Sequence, residues 1–86
     1  MDQPSDIEQK LKTYVLNEFL TGEDASQLTS ATPLVSSGVL DSIATLRFVS
    51  YLEQEFSISI DAHEVGADNF ENIESITRLV VEKQKA

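Results

Sequence analysis

Gly38-Val39-Leu40-Asp41-Ser42-Ile43 runs without a break into Ala44-Thr45-Leu46-Arg47-Phe48-Val49-Ser50-Tyr51-Leu52-Glu53-Gln54-Glu55-Phe56, and this stretch decides how the chain folds. At about 100° per residue, Thr45, Phe48, Val49, Leu52 and Phe56 fall within one sector, as in a helix with a single buried face. The spacing predicts a helix from Ser42 to Phe56. Ile43, Arg47, Ser50, Tyr51 and Gln54 point the other way. Scattered surface apolar residues are ordinary, so Ile43 and Tyr51 read either as incidental or as a stripe on which a partner docks. Upstream, Gly38 permits a tight approach and Leu40 can anchor the loop end in the core. Asp41 and Ser42 fall at the helix N-terminus, where backbone amides lack partners. By spacing alone they are an ordinary cap.

Working outward, the segment from Gly22 to Asp41 is rich in Ser, Thr, Gly and Pro. A connection near 20 residues is unusual in a compact domain and is commonly functional. Leu28, Leu34, Val35 and Leu40 punctuate it, so it is expected to pack on the bundle. Before it, Ile7, Leu11 and Val15 recur every fourth residue with Tyr14 beside them. Ser5 and Glu8 have the spacing of a capping box, Phe19 and Leu20 close this first helix, and Thr21-Gly22 ends it. After Phe56, Ser57 to Ile60 reads as an extended connector, and Asp61 to Val65 as a turn or minor helix ending at Gly66. Asn69 or Asn72 can cap a last helix whose apolar stripe is Ile73, Ile76, Leu79 and Val80. Lys83 and Lys85 sit at its C-terminal end, where the helix dipole favours cations. No strict alternation long enough for a sheet occurs. The expected fold is all-α: a small bundle of three main helices plus one short helix, with a long loop between the first two.

With 86 residues, the chain is read as one domain over positions 1–86, near the small end of what folds alone. It has no cysteine, hence no disulfide, Cys-based zinc site or Cys nucleophile. The 41% hydrophobic content is enough to attempt an apolar core. No apolar run approaches the ~20 residues of a membrane span. Met1 to Lys10 is polar and acidic, unlike a signal peptide. A soluble, cytoplasmic monomer is expected.

The net charge is −9, and eleven carboxylates but only one basic residue, Arg47, lie between Thr13 and Thr77. Such a body repels nucleic acid and anionic lipid and speeds encounters with basic partners. No catalytic constellation stands out. His63 is the only histidine and lies in an acidic loop, without a triad-like Ser or Cys order. Asp61, Glu64 and Asp68 do not follow a calcium-loop spacing, and Gly22, Gly38 and Gly66 do not form a phosphate-binding loop. Neither a metal site nor a catalytic residue is expected.

Residues 33–56 resemble the acyl carrier protein family, including its free-standing peptidyl (aminoacyl) carriers. Leu34, Gly38, Asp41-Ser42-Ile43 and Glu53-Gln54-Glu55-Phe56 match the family pattern without a gap. Ser57 to Asp61, and Phe70, Ile73 and Ile76, resemble the segments that follow. The resemblance implies that Ser42 is where a phosphopantetheinyl transferase attaches 4'-phosphopantetheine from coenzyme A. Asp41 would then serve in recognition by that transferase. Cargo would ride as a thioester on the arm's thiol, and the protein itself would not be an enzyme. A phosphodiester there would face the positive end of the helix dipole.

Fatty-acid carriers place carboxylates two and five residues after the serine; here those positions hold Ala44 and Arg47. The outward face is instead Ile43, Ala44, Arg47 and Tyr51, the expected partner surface. Gly-x-Leu-Asp-Ser-Ile resembles free-standing peptidyl, aminoacyl or D-alanyl carriers. The Gly-Gly-x-Ser form of carrier domains inside large peptide synthetases is absent. The resemblance therefore implies an aminoacyl or specialised acyl carrier of a dedicated biosynthetic pathway, loaded by a separate adenylating ligase and serving downstream acyl-processing enzymes. Within the class, the alternative is a fatty-acid or polyketide carrier. From another class, it is a small helical protein–protein adaptor with no prosthetic group.

Overall fold

Pro4 opens the first helix of the computed structural model, which describes residues 3–19 and 28–85. Helix α1 spans Pro4–Glu18, with Pro at a position whose missing amide costs nothing and whose φ is already helical. The helix thus starts before Ser5. The expected Ser5–Glu8 capping box does not form, and Gln3 caps without a side-chain bond. Ile7, Leu11 and Val15 are fully buried, as their period requires. The Phe19 amide bonds Val15 O to close the helix. Thr21-Gly22 as its terminator lies outside the described residues.

From Leu28 on, the connecting segment is fastened to residues 71–74, late in the chain. Leu28, Leu34 and Leu40 are buried. Leu34 N donates to Glu71 O at 2.6 Å, Glu74 N to Ser30 O at 3.0 Å, and Ser36 Oγ to a Glu71 carboxylate oxygen. Gly38 has φ +88°, a conformation L side chains rarely adopt, and the turn it makes lets Leu40 N reach Leu34 O at 2.9 Å.

Helix α2 spans Ser42–Phe56, the predicted bounds, and Ser57 ends it in the left-handed conformation. Its buried face is Ala44, Phe48, Leu52 and Phe56, while Thr45 and Val49 are half-buried. Ile60 is buried, and its amide donates to Glu53 Oε2 at 2.8 Å. A 3-10 turn, Ala62–Glu64, follows, closed by a capping box between Asp61 and Glu64. The one-turn helix α3, Ala67–Phe70, buries Phe70. Helix α4, Ile73–Lys85, starts where Asn72 Oδ1 accepts from Ser75 N at 2.8 Å, so Asn72 rather than Asn69 is the cap. The described residues contain no strand: three main helices and one short helix form the expected bundle.

The core sits where α1, α2 and α4 converge, with α1 packed chiefly on α4. Phe48 and Phe70 meet edge to face, centroids 6.2 Å apart, tying α2 to α3. Each fully buried side chain of this size contributes roughly 1.5–3 kcal/mol. The outcome for function is that the exposed N-terminus of α2 follows directly on the buried Leu40 and shares a hollow with Phe70 of α3.

Candidate attachment site at the start of helix α2

Asp41 and Ser42 stand where the loop hands over to α2. Asp41 Oδ1 accepts from Ala44 N at 2.8 Å, and its carbonyl accepts from Thr45 N at 2.9 Å and Thr45 Oγ1 at 2.7 Å. The cap fixes the direction of the first turn and leaves the amides of Ser42 and Ile43 ahead of the first intrahelical bond. Ser42 is the first helical residue and is exposed. Its hydroxyl bonds no other described residue. The loop serines differ: Ser36 Oγ is bound to Glu71, and Ser37 Oγ donates to Pro33 O at 2.6 Å.

Two hollows flank this corner. One, of about 380 Å³, is lined by Val35, Leu40, Asp41, Ser42, Thr45, Leu46, Val65, Gly66 and Phe70. Its walls are largely apolar, with Asp41 as the only charged group. The other, of about 330 Å³, lies toward the end of α1 and is lined by Glu18, Phe19, Val39, Asp41, Ile43, Ala44 and Arg47. A third, of about 350 Å³, is lined by residues of α1 and by Tyr51. Helical count puts Tyr51 ~13 Å along α2 from Ser42 and on its opposite side, so that hollow is not part of this site.

The expected partner surface is brought together only in part. Ile43 is 67% exposed and Arg47 is exposed. Ala44, however, is buried, because α2 turns it toward the core. Tyr51 is half-buried and stacks on Tyr14, ring centroids 4.0 Å apart at 13°. Burial raises the phenol pKa of both tyrosines, Glu55 adding to the effect on Tyr51 and Glu18 to that on Tyr14. Leu46, 63% exposed beside Ser42, is the apolar surface residue that the period alone did not single out. Its signal is its place one turn beyond Ser42, on the same side of the helix.

His63 is exposed. One ligand atom from each of Asp61, His63 and Glu64 lies within 4.8 Å of the others. Glu64 Oε1 is already held there by Lys83 Nζ at 2.5 Å and Asp61 N at 3.0 Å. These bonds hold the Glu64 carboxyl below the ordinary range and raise Lys83.

A small helical bundle that presents an unbonded serine at a capped helix start, beside an apolar hollow, has the build of a carrier protein. Residues 18–80 match the family model described as "Phosphopantetheine attachment site", and the chain belongs to that family. The family's prosthetic group is phosphopantetheine. The chain is similar to the probable acyl carrier protein PigG of Serratia sp. (strain ATCC 39006), 36% identical over 86% of this chain and 84% of that protein. It is also similar to the D-alanyl carrier protein of Streptococcus pyogenes serotype M5, 34% identical over 74% of this chain and 80% of that protein. A chain from a solved crystal structure of an FAD-dependent dehydrogenase superposes with TM-score 0.74 and 28% identity, over 81% of this chain and 97% of that one. The family membership favours a carrier over a prosthetic-group-free adaptor. It brings interaction with a phosphopantetheinyl transferase and with acyl-processing enzymes. No helix among the described residues is long and apolar enough to cross a membrane.

The residues fit the group. Ser42 offers the free hydroxyl, the α2 N-terminus favours a phosphodiester, and the apolar hollow begins at the same residue.

Proposed function

We propose that this is a cytoplasmic carrier domain that holds an aminoacyl or specialised acyl group on a 4'-phosphopantetheine arm at Ser42. The observation that carries the reading is the unbonded, exposed hydroxyl at the first residue of α2, beside an apolar hollow. When bound, the arm supplies the thiol that forms a thioester with the cargo. The chain's own residues position it. Asp41 caps α2 and keeps its second carboxylate oxygen for the transferase, while Ile43, Leu46 and Arg47 face the enzymes that load and unload the arm. The carrier performs no chemistry itself. An adenylating ligase loads it, and acyl-processing enzymes take the cargo on.

The D-alanyl carrier relative supports an aminoacyl cargo, and Ala44 and Arg47 speak against an enzyme that docks on an acidic helix. The likeness to a chain from an FAD-dependent dehydrogenase structure favours a dehydrogenase of that kind among the downstream partners.

Intact-mass measurement tests the reading. The protein is incubated with coenzyme A and a broad-specificity phosphopantetheinyl transferase. The expected result is a gain of one phosphopantetheine in the wild type and none in Ser42→Ala. Ser36 and Ser37, whose hydroxyls are engaged in the loop, are internal controls. No gain with several transferases would overturn it.

A further inference from the structure

One wall of the hollow beside Ser42 meets the core through a single half-buried side chain, Val65. Val65 and Gly66 form it, at the end of the segment that begins at Asp61. No residue of the 3-10 turn in this segment is buried, and Asp61, Ala62, His63 and Gly66 are exposed. The segment is also fastened through Glu64. Its Oε1 accepts from Lys83 Nζ at 2.5 Å and from the Asp61 amide at 3.0 Å, and its carbonyl accepts from Asn69 Nδ2 at 2.9 Å. Lys83 belongs to the last turn of α4, so one ion pair spans from the far end of the chain to the residue next to the wall. The Lys83 and Glu64 side chains are only 21% and 19% exposed, more sheltered than the other ion pairs among the described residues.

We propose that the Lys83–Glu64 pair is a latch that holds the Val65–Gly66 wall against the hollow and so sets how well a group carried at Ser42 is shielded from water. The inference rests on the reading of Ser42 as the attachment residue. An apolar acyl group swinging from Ser42 meets Leu40, Leu46, Val65 and Phe70. The hollow, about 380 Å³, is at the small end of ligand pockets and suits an acyl chain of a few carbons. Hydrolysis adds water across the carbon–sulfur bond, leaving the free acid and the arm's thiol. A carbonyl drawn into the hollow is reached by less water. With the latch cut, the wall keeps the Asp61–Glu64 box, the Asn69 bond, the backbone bonds of Val65 and Gly66 and the Val65 contact with the core, but loses its ion pair to α4, and the hollow opens more often.

Wild type, Lys83→Glu, Lys83→Met and Lys83→Arg are loaded from hexanoyl-coenzyme A by a broad-specificity phosphopantetheinyl transferase. Loss of the hexanoyl group is followed by intact mass, and amide exchange is measured over residues 62–69. Loading rates should be equal, because Lys83 does not line the hollow that contains Asp41 and Ser42. Lys83→Glu should shed the acyl group about two- to fivefold faster, the population shift expected from one partly exposed ion pair, with faster exchange at 62–69. Lys83→Met should shift less in the same direction, and Lys83→Arg should match wild type. Equal hydrolysis in all four proteins overturns the latch. A wild type that takes up no arm overturns the attachment reading and the latch with it, and is told apart because loading itself fails.

Discussion

At the scale of the residue, Asp41 carries two duties that separate under mutation. Its side chain satisfies the Ala44 amide, so Asp41→Ala removes a cap and should cost about 0.5–2 kcal/mol in urea unfolding. Asp41→Asn keeps an acceptor and should fold almost as well as wild type. If it still loses pantetheinylation, the carboxylate acts on the transferase rather than on the helix; unimpaired uptake would confine Asp41 to capping. Thr77 poses a different question. It lies on the buried stripe of α4, yet its Oγ1 has no hydrogen-bond partner among the described residues. A buried unsatisfied hydroxyl costs about 1–3 kcal/mol, and valine has the same shape and a similar helix propensity. Thr77→Val should therefore raise stability by about 1 kcal/mol; a loss on chemical unfolding would mean the hydroxyl has a role the static contacts do not reveal.

Among the elements, α2 is the one whose two faces both matter. Its bounds were legible because Asp41, the apolar period and the Ser57 break agree. The angle of its buried sector was less so. Thr45 and Val49 share the predicted sector, but α2 is turned so that Ala44 faces inward and Leu46 outward. A period says which residues lie on one stripe; the neighbours decide the centre of that stripe. Tyr51 shows the same limit, since only the position of α1 puts Tyr14 under its ring. The outward residues that remain, Ile43, Leu46 and Arg47, carry a prediction. Arg47→Glu should change loading kinetics with the cognate ligase while uptake of the arm persists, because exposed charges mainly set encounter and partner choice. Unaltered kinetics with the cognate enzyme would remove Arg47 from the docking surface.

For the whole molecule, charge dominates. At −9, the fold works against its own repulsion, and the Debye length shortens to about 8 Å at physiological salt. The melting temperature should rise between low salt and ~0.15 M; a fall would mean attractive pairs outweigh repulsion. The Glu64–Lys83 pair gives this a pH signature. Glu64 is held below its ordinary 4.5, so its contribution is complete above that pH and is lost as pH falls through the lowered value. Lys83 is raised above 10.5, so its contribution is complete below that pH and is lost as pH rises through the raised value. The stability difference between wild type and Glu64→Gln should therefore be constant near neutrality and shrink on acidification below about pH 4.5. A difference that persists at lower pH would mean the carboxylate's charge is not what Lys83 uses.

The sequence by itself determined the fold class, the bounds of α2, the apolar stripes of α1 and α4, and the serine at a helix start. All of these are local: a period, a cap and a turn residue act within a few positions of one another. Only the tertiary structure decided what surrounds that serine. Glu71 clasps the loop, Val65 and Gly66 close one side of the hollow, Tyr14 claims Tyr51, and Lys83 fastens Glu64. These partners are far apart in the chain, and a spacing rule cannot see which of several exposed polar side chains the packing of helices will bring within hydrogen-bond reach.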